Sequence, residues 1–258
     1  MEKKRAPAIR VLFLGTGNAF NQDGRGSQAI WIAPPGGSPF LVDAGPTLLA
    51  AMSRFAADAG AVDKVFFTHL HGDHVGGWPF LLLHDVFLAR RARPLQVFGA
   101  AGTRKQLETL VQGTYPDLVS EGSLPFSIEY HELKVLRTSG LLADDGVAFD
   151  TVPLEHHPSS IGFRFHIGRT TIGISGDTRW CPNLEELAQG SDVLILECTS
   201  VTKEAYAHVS LEEVREGVKR LRARQVVLVH LSQSVADAFE KRPIPGVKLA
   251  QDGMMLEV

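Results

Sequence analysis

The stretch Thr68-His69-Leu70-His71-Gly72-Asp73-His74 constrains this chain more than any other. Four metal-capable side chains, His69, His71, Asp73 and His74, follow directly on the apolar run Val65-Phe66-Phe67, which reads as a buried strand. Residues two apart on an extended backbone point the same way, so His69 and His71 can reach one ion together. Gly72 lets the chain turn, and Asp73 and His74 can then face a second ion nearby. Imidazole and carboxylate suit zinc, and equally manganese or iron, so ligand type alone does not fix the metal. A polar loop with solvated histidine rings is the alternative reading of the same residues.

The remaining chemistry-bearing residues are spread along the chain. Asp43 ends the apolar run Phe40 to Asp43, before Ala44-Gly45-Pro46. The segment Glu155-His156-His157-Pro158-Ser159-Ser160-Ile161-Gly162-Phe163-Arg164 ends one expected strand and begins the next. Thr170 to Ser175 is an apolar strand delivering Gly176-Asp177-Thr178, and Asp192 to Leu196 is another, delivering Glu197-Cys198-Thr199. Ala207-His208-Val209-Ser210 follows, and Ser210-Leu211-Glu212-Glu213 reads as a capping box that starts a helix. The last strongly buried strand, Gln225 to Val229, ends in His230.

Together these segments resemble the metallo-β-lactamase superfamily. His69-Leu70-His71-Gly72-Asp73-His74 is similar to its His-x-His-x-Asp-His signature. The Ser160-Ile161-Gly162-Phe163-Arg164 segment is similar to the Ser-x-Gly-Tyr-Arg of ribonuclease Z and related phosphodiesterases, with Phe163 in place of tyrosine. That match places the family's histidine ligand on His156 rather than His157, and sets Ser160 where a hydroxyl near the metals can touch phosphate or merely close a turn. The resemblance implies a four-layered αββα sandwich, two mixed sheets flanked by helices, with two divalent ions at the sheet edge. It implies His69, His71 and His156 on the first ion, and Asp73, His74 and His230 on the second, with Asp177 bridging. Asp43 would orient a metal-bound histidine through its second ring nitrogen. Glu197 would steady His208, which protonates the leaving oxygen, while Asp73 takes a proton from water. The function implied is a metal-dependent phosphodiesterase of the ribonuclease Z-like branch, acting on RNA or on small, including cyclic, phosphodiesters. A carbonyl-centred hydrolase of the same fold (thioesterase, lactonase or β-lactamase) is the first alternative, and a metal-retaining accessory or binding protein the second.

Composition bounds rather than identifies. The 258 residues carry no Pro/Ser/Gly linker or charge block, so one domain spanning 1–258 is expected, with 44% hydrophobic content for its core. A net charge of −3 gives no global attraction for nucleic acid. Two cysteines, Cys181 and Cys198, cannot make a disulfide framework and suit a reducing cytoplasm. The charged start lacks the apolar stretch of a signal peptide, and no apolar run is long enough for a membrane span.

Several further elements are legible. Ile9 to Leu14 reads as a strand ending in Gly15-Thr16-Gly17-Asn18-Ala19, and Gln28 to Ala33 as another. Helices are expected over Thr47 to Ala59, Trp78 to Ala92 and Thr103 to Gln112. Arg90, Arg91 and Arg93 at the end of the second suit the helix dipole better than a phosphate. The segment 93–150 carries no nameable motif; a substrate lid or a subunit contact, and hence a homodimer, would be accommodated there. Gly113 to Ser123 reads as a loop. Val247 to Val258 is expected to be a strand pair turning at Asp252-Gly253. The family enzymes that mature transfer RNA carry a long arm between the third histidine and the bridging aspartate. Between His156 and Asp177 this chain has room for two strands only, so poor processing of precursor transfer RNA is expected.

Overall fold

Most strands of this chain are apolar on both faces, which requires a cover on both sides of each sheet. The computed structural model describes residues 8–118, 124–142, 147–203 and 208–258. The first half supplies β1 (Arg10–Gly15), β2 (Ala29–Ala33), β3 (Phe40–Val42), α1 (Leu48–Arg54), β4 (Lys64–Phe66), α2 (Gly72–Val75), α3 (Trp78–Phe87), β5 (Leu95–Ala100), α4 (Thr103–Thr114) and β6 (Ile128–Leu133). The second supplies β7 (Thr138–Leu142), β8 (Ala148–Pro153), β9 (Ile161–Ile167), β10 (Thr170–Ile174), α5 (Pro182–Ala188), β11 (Val193–Glu197), α6 (Leu211–Leu221), β12 (Gln225–Val229), α7 (Gln233–Lys241), β13 (Val247–Leu249) and β14 (Met255–Glu257). Two seven-stranded sheets result, in the orders β14-β1-β2-β3-β4-β5-β6 and β13-β12-β11-β10-β9-β8-β7. Each mixes parallel and antiparallel pairs.

Three apolar clusters make the layers. One lies between the sheets, one between the first sheet and α1, α3 and α4, and one between the second sheet and α5, α6 and α7. Helices cover both outer faces, giving the expected αββα sandwich. Phe66 is central to the inner layer. Its ring stacks on Phe98 at 4.5 Å and meets Phe40, Phe149, Phe163 and Phe165 edge-on at 4.9–5.5 Å. Aromatic packing across both sheets thus fixes the strand that leads into the histidine-rich segment.

The topology also decides where a site can form. In β3, β4, β10, β11 and β12 the parallel strands end on the same side, and ligands of open α/β sheets sit beyond such carboxyl ends. The sheets are tied together at that edge: Ile161 N–H donates to Thr68 O at 2.8 Å, and Leu231 N–H to Thr16 O at 2.8 Å.

Some expected elements are shorter or differently placed. The helix expected over Thr47 to Ala59 stops at Arg54, because Ala56 turns left-handed (φ 54°) and the Asp58 carboxylate accepts Gly60 N–H to start a separate 3-10 turn. The helix expected to reach Ala92 stops at Phe87, and Arg90 is left-handed (φ 49°). Beyond it the arginines do not form a free cationic cluster: buried Arg91 donates to Asp85 Oδ2 at 2.6 Å and to Asp63 Oδ1 at 3.2 Å, and Arg93 also pairs with Asp63. The C-terminal strands are not a pair. β13 joins β12 and β14 joins β1, closing opposite sheets. The segment between them is held by Asp252, whose carboxylate accepts Thr16 N–H, the Thr16 hydroxyl and Gly26 N–H at 2.6–2.9 Å. Of the loop expected over Gly113 to Ser123, residues 119–123 lie outside the described residues, as does 1–7 of the charged start.

Because Phe66 packs on both sheets, Phe66→Ala is expected to cost about 3–5 kcal/mol of unfolding free energy. Urea unfolding followed by fluorescence checks this; a loss below about 1 kcal/mol would show that the inter-sheet layer does not depend on this ring.

Candidate metal centre

Beyond β4 the chain runs Phe67-Thr68-His69 and then turns into the short α2, which carries Asp73 and His74 in one turn. His69 and His74 are fully buried, whereas His71 is exposed. Tight packing forces this geometry. A Cβ on Gly45 would meet Asp73 O at 2.5 Å, so only glycine lets the β3 end approach the turn.

From the second sheet come His156 in the β8–β9 turn, Asp177 after β10, Glu197 at the end of β11, and His230 after β12. Among the described residues four groups of candidate ligand atoms lie within 4.8 Å of one another: His69, His71 and His156; Asp73, His74, Asp177 and His230; and two that run through His208, with His156 and Asp177 or with Glu197 and His230. Asp177 faces the first two. Its Oδ2 lies 3.8 Å from His69 Nε2 and from His156 Nε2, and 3.4 Å from His230 Nε2, while Oδ1 is 3.3 Å from His74 Nε2. Asp73 Oδ2 is 3.1 Å from His230 Nε2 and 3.4 Å from His74 Nε2.

The charge balance at this edge suits a cation. His69 Nε2, His74 Nε2 and Asp177 Oδ1 are buried without hydrogen-bond partners. Leaving buried polar atoms unpaired costs about 1–3 kcal/mol each, and all three converge on the same point. Burial, with His74 nearby, pulls His69 far below the usual imidazole range, into its neutral, ligating form. For His74 burial acts the same way but is outweighed by Asp177 and Asp43, which demand positive charge there. Although burial opposes it, His230 and His74 hold the carboxyls of Asp73 and Asp177 well below the usual range. A neutral His69, the ionised Asp73 and Asp177, and unpaired nitrogens facing them form a donor set that fits divalent ions.

The surrounding bonds fix ring orientation. His74 Nδ1 donates to Asp43 Oδ2 at 2.9 Å, and the Asp43 carboxylate also accepts Thr68 N–H and the Thr68 hydroxyl, each at 2.9 Å. The His74 Nε2 is thereby turned inward. Asp43 is left-handed (φ 63°), as is His230 (φ 56°). Such backbone costs about 1–3 kcal/mol per residue and persists only where surroundings over-determine it. Thr199 does this for His230, its hydroxyl lying 2.8 Å from His230 Nδ1 and 2.9 Å from His230 O. The roles of Thr68 and Thr199 escaped the sequence reading; the available signal was a hydroxyl residue directly after an apolar strand. Gly176 is needed between β10 and Asp177: its φ is +60°, and a Cβ would meet the Thr68 side chain at 2.5 Å.

Glu197 and His208 form a pair that adjoins the ligand-type groups, His208 Nδ1 lying 3.9 Å from Asp177 Oδ2 but 2.9 Å from Glu197 Oε1. Buried Glu197 Oε1 accepts His208 Nδ1–H at 2.9 Å and Thr178 N–H at 2.9 Å. Burial raises the Glu197 pKa. Burial opposes charge on His208, but the Glu197 hydrogen bond and charge prevail and lift it to about 9. The His208 ring packs on His156 at 4.6 Å and on His230 at 5.7 Å. Ser160 is buried, and its hydroxyl accepts His157 N–H at 3.0 Å, so its visible partner is the turn itself.

Fold and residues together define a metallo-β-lactamase-fold protein of the ribonuclease Z-like branch. It is 29% identical to a ribonuclease Z of Anoxybacillus flavithermus, covering 95% of this chain and 96% of that protein. It is 31% identical to a ribonuclease Z of Mycobacterium marinum, covering 72% and 69%. The crystal structure of the human short-form tRNase Z superposes with a TM-score of 0.76 at 26% identity, over 96% of this chain and 98% of that one. The chain belongs to the family described as anti-Pycsar protein Apyc1, matched over residues 9–248. It is a metal-dependent hydrolase.

Asp43→Ala is expected to weaken divalent-metal binding about 10- to 100-fold, since the His74 ring loses its anchor. Competition with a chromophoric chelator measures this. Unchanged affinity would show that Asp43 does not orient a ligand.

Proposed function

We propose that the chain is a dinuclear metal phosphodiesterase acting on small phosphodiesters, cyclic ones included, in preference to precursor transfer RNA. The observation that carries this is the Glu197–His208 pair standing against the two groups of ligand-type side chains. A thioester expels a thiolate that leaves without a proton, whereas expulsion of an alkoxide from phosphorus needs an acid beside the leaving oxygen.

His69, His71 and His156 would hold one ion, and Asp73, His74 and His230 the other, with Asp177 shared; zinc suits this set, and manganese or iron could replace it. The ions, when bound, supply Lewis acidity toward the phosphoryl oxygens and lower the pKa of water. The protein does the rest. Asp73, kept ionised by His230 and His74, takes a proton from the attacking water. Glu197 holds His208 by Nδ1, which leaves Nε2 to pass a proton to the departing oxygen. Asp43 and Thr199 keep His74 and His230 from rotating away.

The substrate preference follows from what the chain lacks. Between His156 and Asp177 lie only a tight turn, β9, a Gly168-Arg169 corner and β10, with no room for an RNA-gripping arm. Its alignment with the Anoxybacillus ribonuclease Z runs over 309 positions, more than this chain possesses, so that relative carries segments absent here. A net charge of −3 supplies no compensating attraction, and Arg91 and Arg93 are occupied by Asp85 and Asp63.

His208→Ala is expected to retain its metals while turnover of a phosphodiester with an alkoxide leaving group falls about 10²- to 10⁴-fold. A p-nitrophenyl ester, whose leaving group hardly needs a proton, should lose much less. Steady-state rates beside metal analysis test this, and equal losses on both substrates would remove His208 as the acid. A second expectation concerns RNA: precursor transfer RNA should be cleaved slowly and bound weakly, with binding falling steeply as salt rises. Efficient site-specific cleavage at the 3′ trailer at moderate salt would overturn the preference for small substrates.

A further inference from the structure

The parallel strands β10, β11 and β12 carry Asp177, Glu197 and His230 beyond their carboxyl ends, and a second constellation gathers at their opposite ends. There the β9–β10 corner, the α5–β11 connection and the α6–β12 connection surround an open cleft of about 470 Å³. Its lining is polar. Arg169 comes from the first connection, Ser191 and Asp192 from the second, and Arg222 and Arg224 from the third, with Thr171 in β10. The five residues of β11 span about 16 Å of extended chain, so the cleft is no part of the metal centre. Its walls are tied to one another. Asp192 Oδ2 accepts Thr171 N–H at 2.9 Å, and Asp192 N–H donates to Thr171 O at 2.8 Å. Arg224 N–H donates to Ser191 O at 3.0 Å, and its guanidinium pairs with Asp192 Oδ1 at 2.9 Å.

The charge in this cleft is unbalanced. Three guanidiniums and a single carboxylate line it, and that carboxylate is taken by Arg224. Arg169 and Arg222 have no ion-pair partner among the described residues. This excess of positive charge sits on a chain whose net charge is −3. A helix dipole favours cations at the end of α6, which accounts for Arg222 and Arg224. Arg169 belongs to no helix and meets them only through the fold. Arg222 occupies the left-handed C-cap of α6 (φ 50°), a place where glycine is the residue of least strain. An arginine there accepts that cost and brings a guanidinium to the cleft.

We propose that this cleft binds a compact oxyanion of phosphorus carrying two or more negative charges, at a site separate from the metal centre. Guanidinium forks match the paired oxygens of a phosphate, and such charge-assisted bonds are about twice as strong as neutral ones. None of the lining residues has an aliphatic or aromatic side chain, so the phosphate groups carry the recognition. The occupant is not the reacting phosphodiester, and the inference stands independently of the phosphodiesterase reading.

Calorimetric titration of the metal-loaded full chain with inorganic pyrophosphate tests this, with adenosine diphosphate as a second titrant. Pyrophosphate also meets the metal centre, so the comparison is with Arg169→Gln and Arg222→Gln, which remove the two unpaired charges and leave the metal ligands untouched. Each variant should weaken one binding event about 10- to 100-fold, while hydrolysis of bis(p-nitrophenyl) phosphate and metal content stay at their wild-type values. Arg222→Lys, which keeps the charge without the fork, should fall between wild type and Arg222→Gln. Because these side chains are exposed, the variants should unfold at the wild-type midpoint. Equal affinities for the two titrants would mean that free phosphates suffice, and a tighter adenosine diphosphate would place the anion on a nucleotide. Titrations that coincide for wild type and both glutamine variants overturn the proposal. So does a weakening matched by an equal loss of hydrolysis or metal, which would assign the anion to the metal centre, and so does a signal that potassium chloride of the same ionic strength reproduces.

Discussion

Two carboxylates and two imidazoles linked in a chain of contacts of 2.9–3.4 Å, all four buried, dominate the structure. In this chain of contacts, formed by Asp43, His74, Asp177 and His230, the two carboxylates place negative charge where burial disfavours any charge at all. An isolated carboxylate in such a place would take up a proton, but the arrangement instead holds Asp177 ionised and pulls positive charge onto His74. The site is therefore organised around positive charge. The protein meets the demand partly through its own imidazoles, and the unpaired nitrogens of His69 and His74 mark where a cation of higher charge completes it.

Such a cluster needs a rigid frame, and the frame is aromatic. Phe66 links both sheets through stacked and edge-on rings, and three residues later the same strand delivers His69. The Thr68 carbonyl accepts from Ile161 of the opposite sheet, so the strand that carries the first histidine is pinned from both sides. Left-handed backbone at Asp43 and His230 belongs to the same logic. Each is a side chain aimed by a conformation that L-residues resist, and each is held there by a partner, Thr68 or Thr199. Strain here trades stability for aim.

Many strands could be read from the sequence because each is a short apolar run ended by a polar or glycine signal. β12 has the expected bounds, and β1, β2, β3, β10 and β11 differ by one residue at one or both ends, whereas β7 (Thr138–Leu142), with Thr-Ser-Gly at its start, was not read. Helices were less legible. α5 and α7 lack a long apolar stripe, and their starts are written in caps: Cys181 precedes Pro182 in one, and the Ser232 hydroxyl accepts Val235 N–H in the other. The pairing of β13 and β14 with different sheets was out of reach. Proximity in sequence suggested a hairpin, and what separates the two strands is the long-range bonding of Asp252 to Thr16 and Gly26. At the site, the ligand-type residues could be named because they occur in dense or strand-terminal motifs. Thr68 and Thr199 could not, since a hydroxyl acquires its role only when the fold brings an imidazole or carboxylate to it. Arg91 fails for the same reason. In sequence it is one of three exposed-looking cations, and only the approach of Asp63 and Asp85 makes it a buried tie.

The separation between the ligand-type groups and the Glu197–His208 pair has a consequence for chemistry. His208 could join the same cluster, since its Nδ1 lies 3.9 Å from Asp177 Oδ2, yet its shorter contact is to Glu197 at 2.9 Å. Glu197 is in turn fixed by Thr178 N–H, one residue beyond Asp177. A single backbone step thus places one carboxylate among the ligand-type residues and orients the second, which anchors His208. Any displacement of β10 relative to β11 would shift Asp177 against Glu197 and break the Thr178 bond. Parallel pairing of Ile172, Gly173 and Ile174 with Val193, Leu194 and Ile195 is what prevents that slip. The register of one strand pair therefore sets the distance between Asp177 among the ligand-type residues and the Glu197–His208 pair, the separation on which the proposed proton transfer to the leaving group depends.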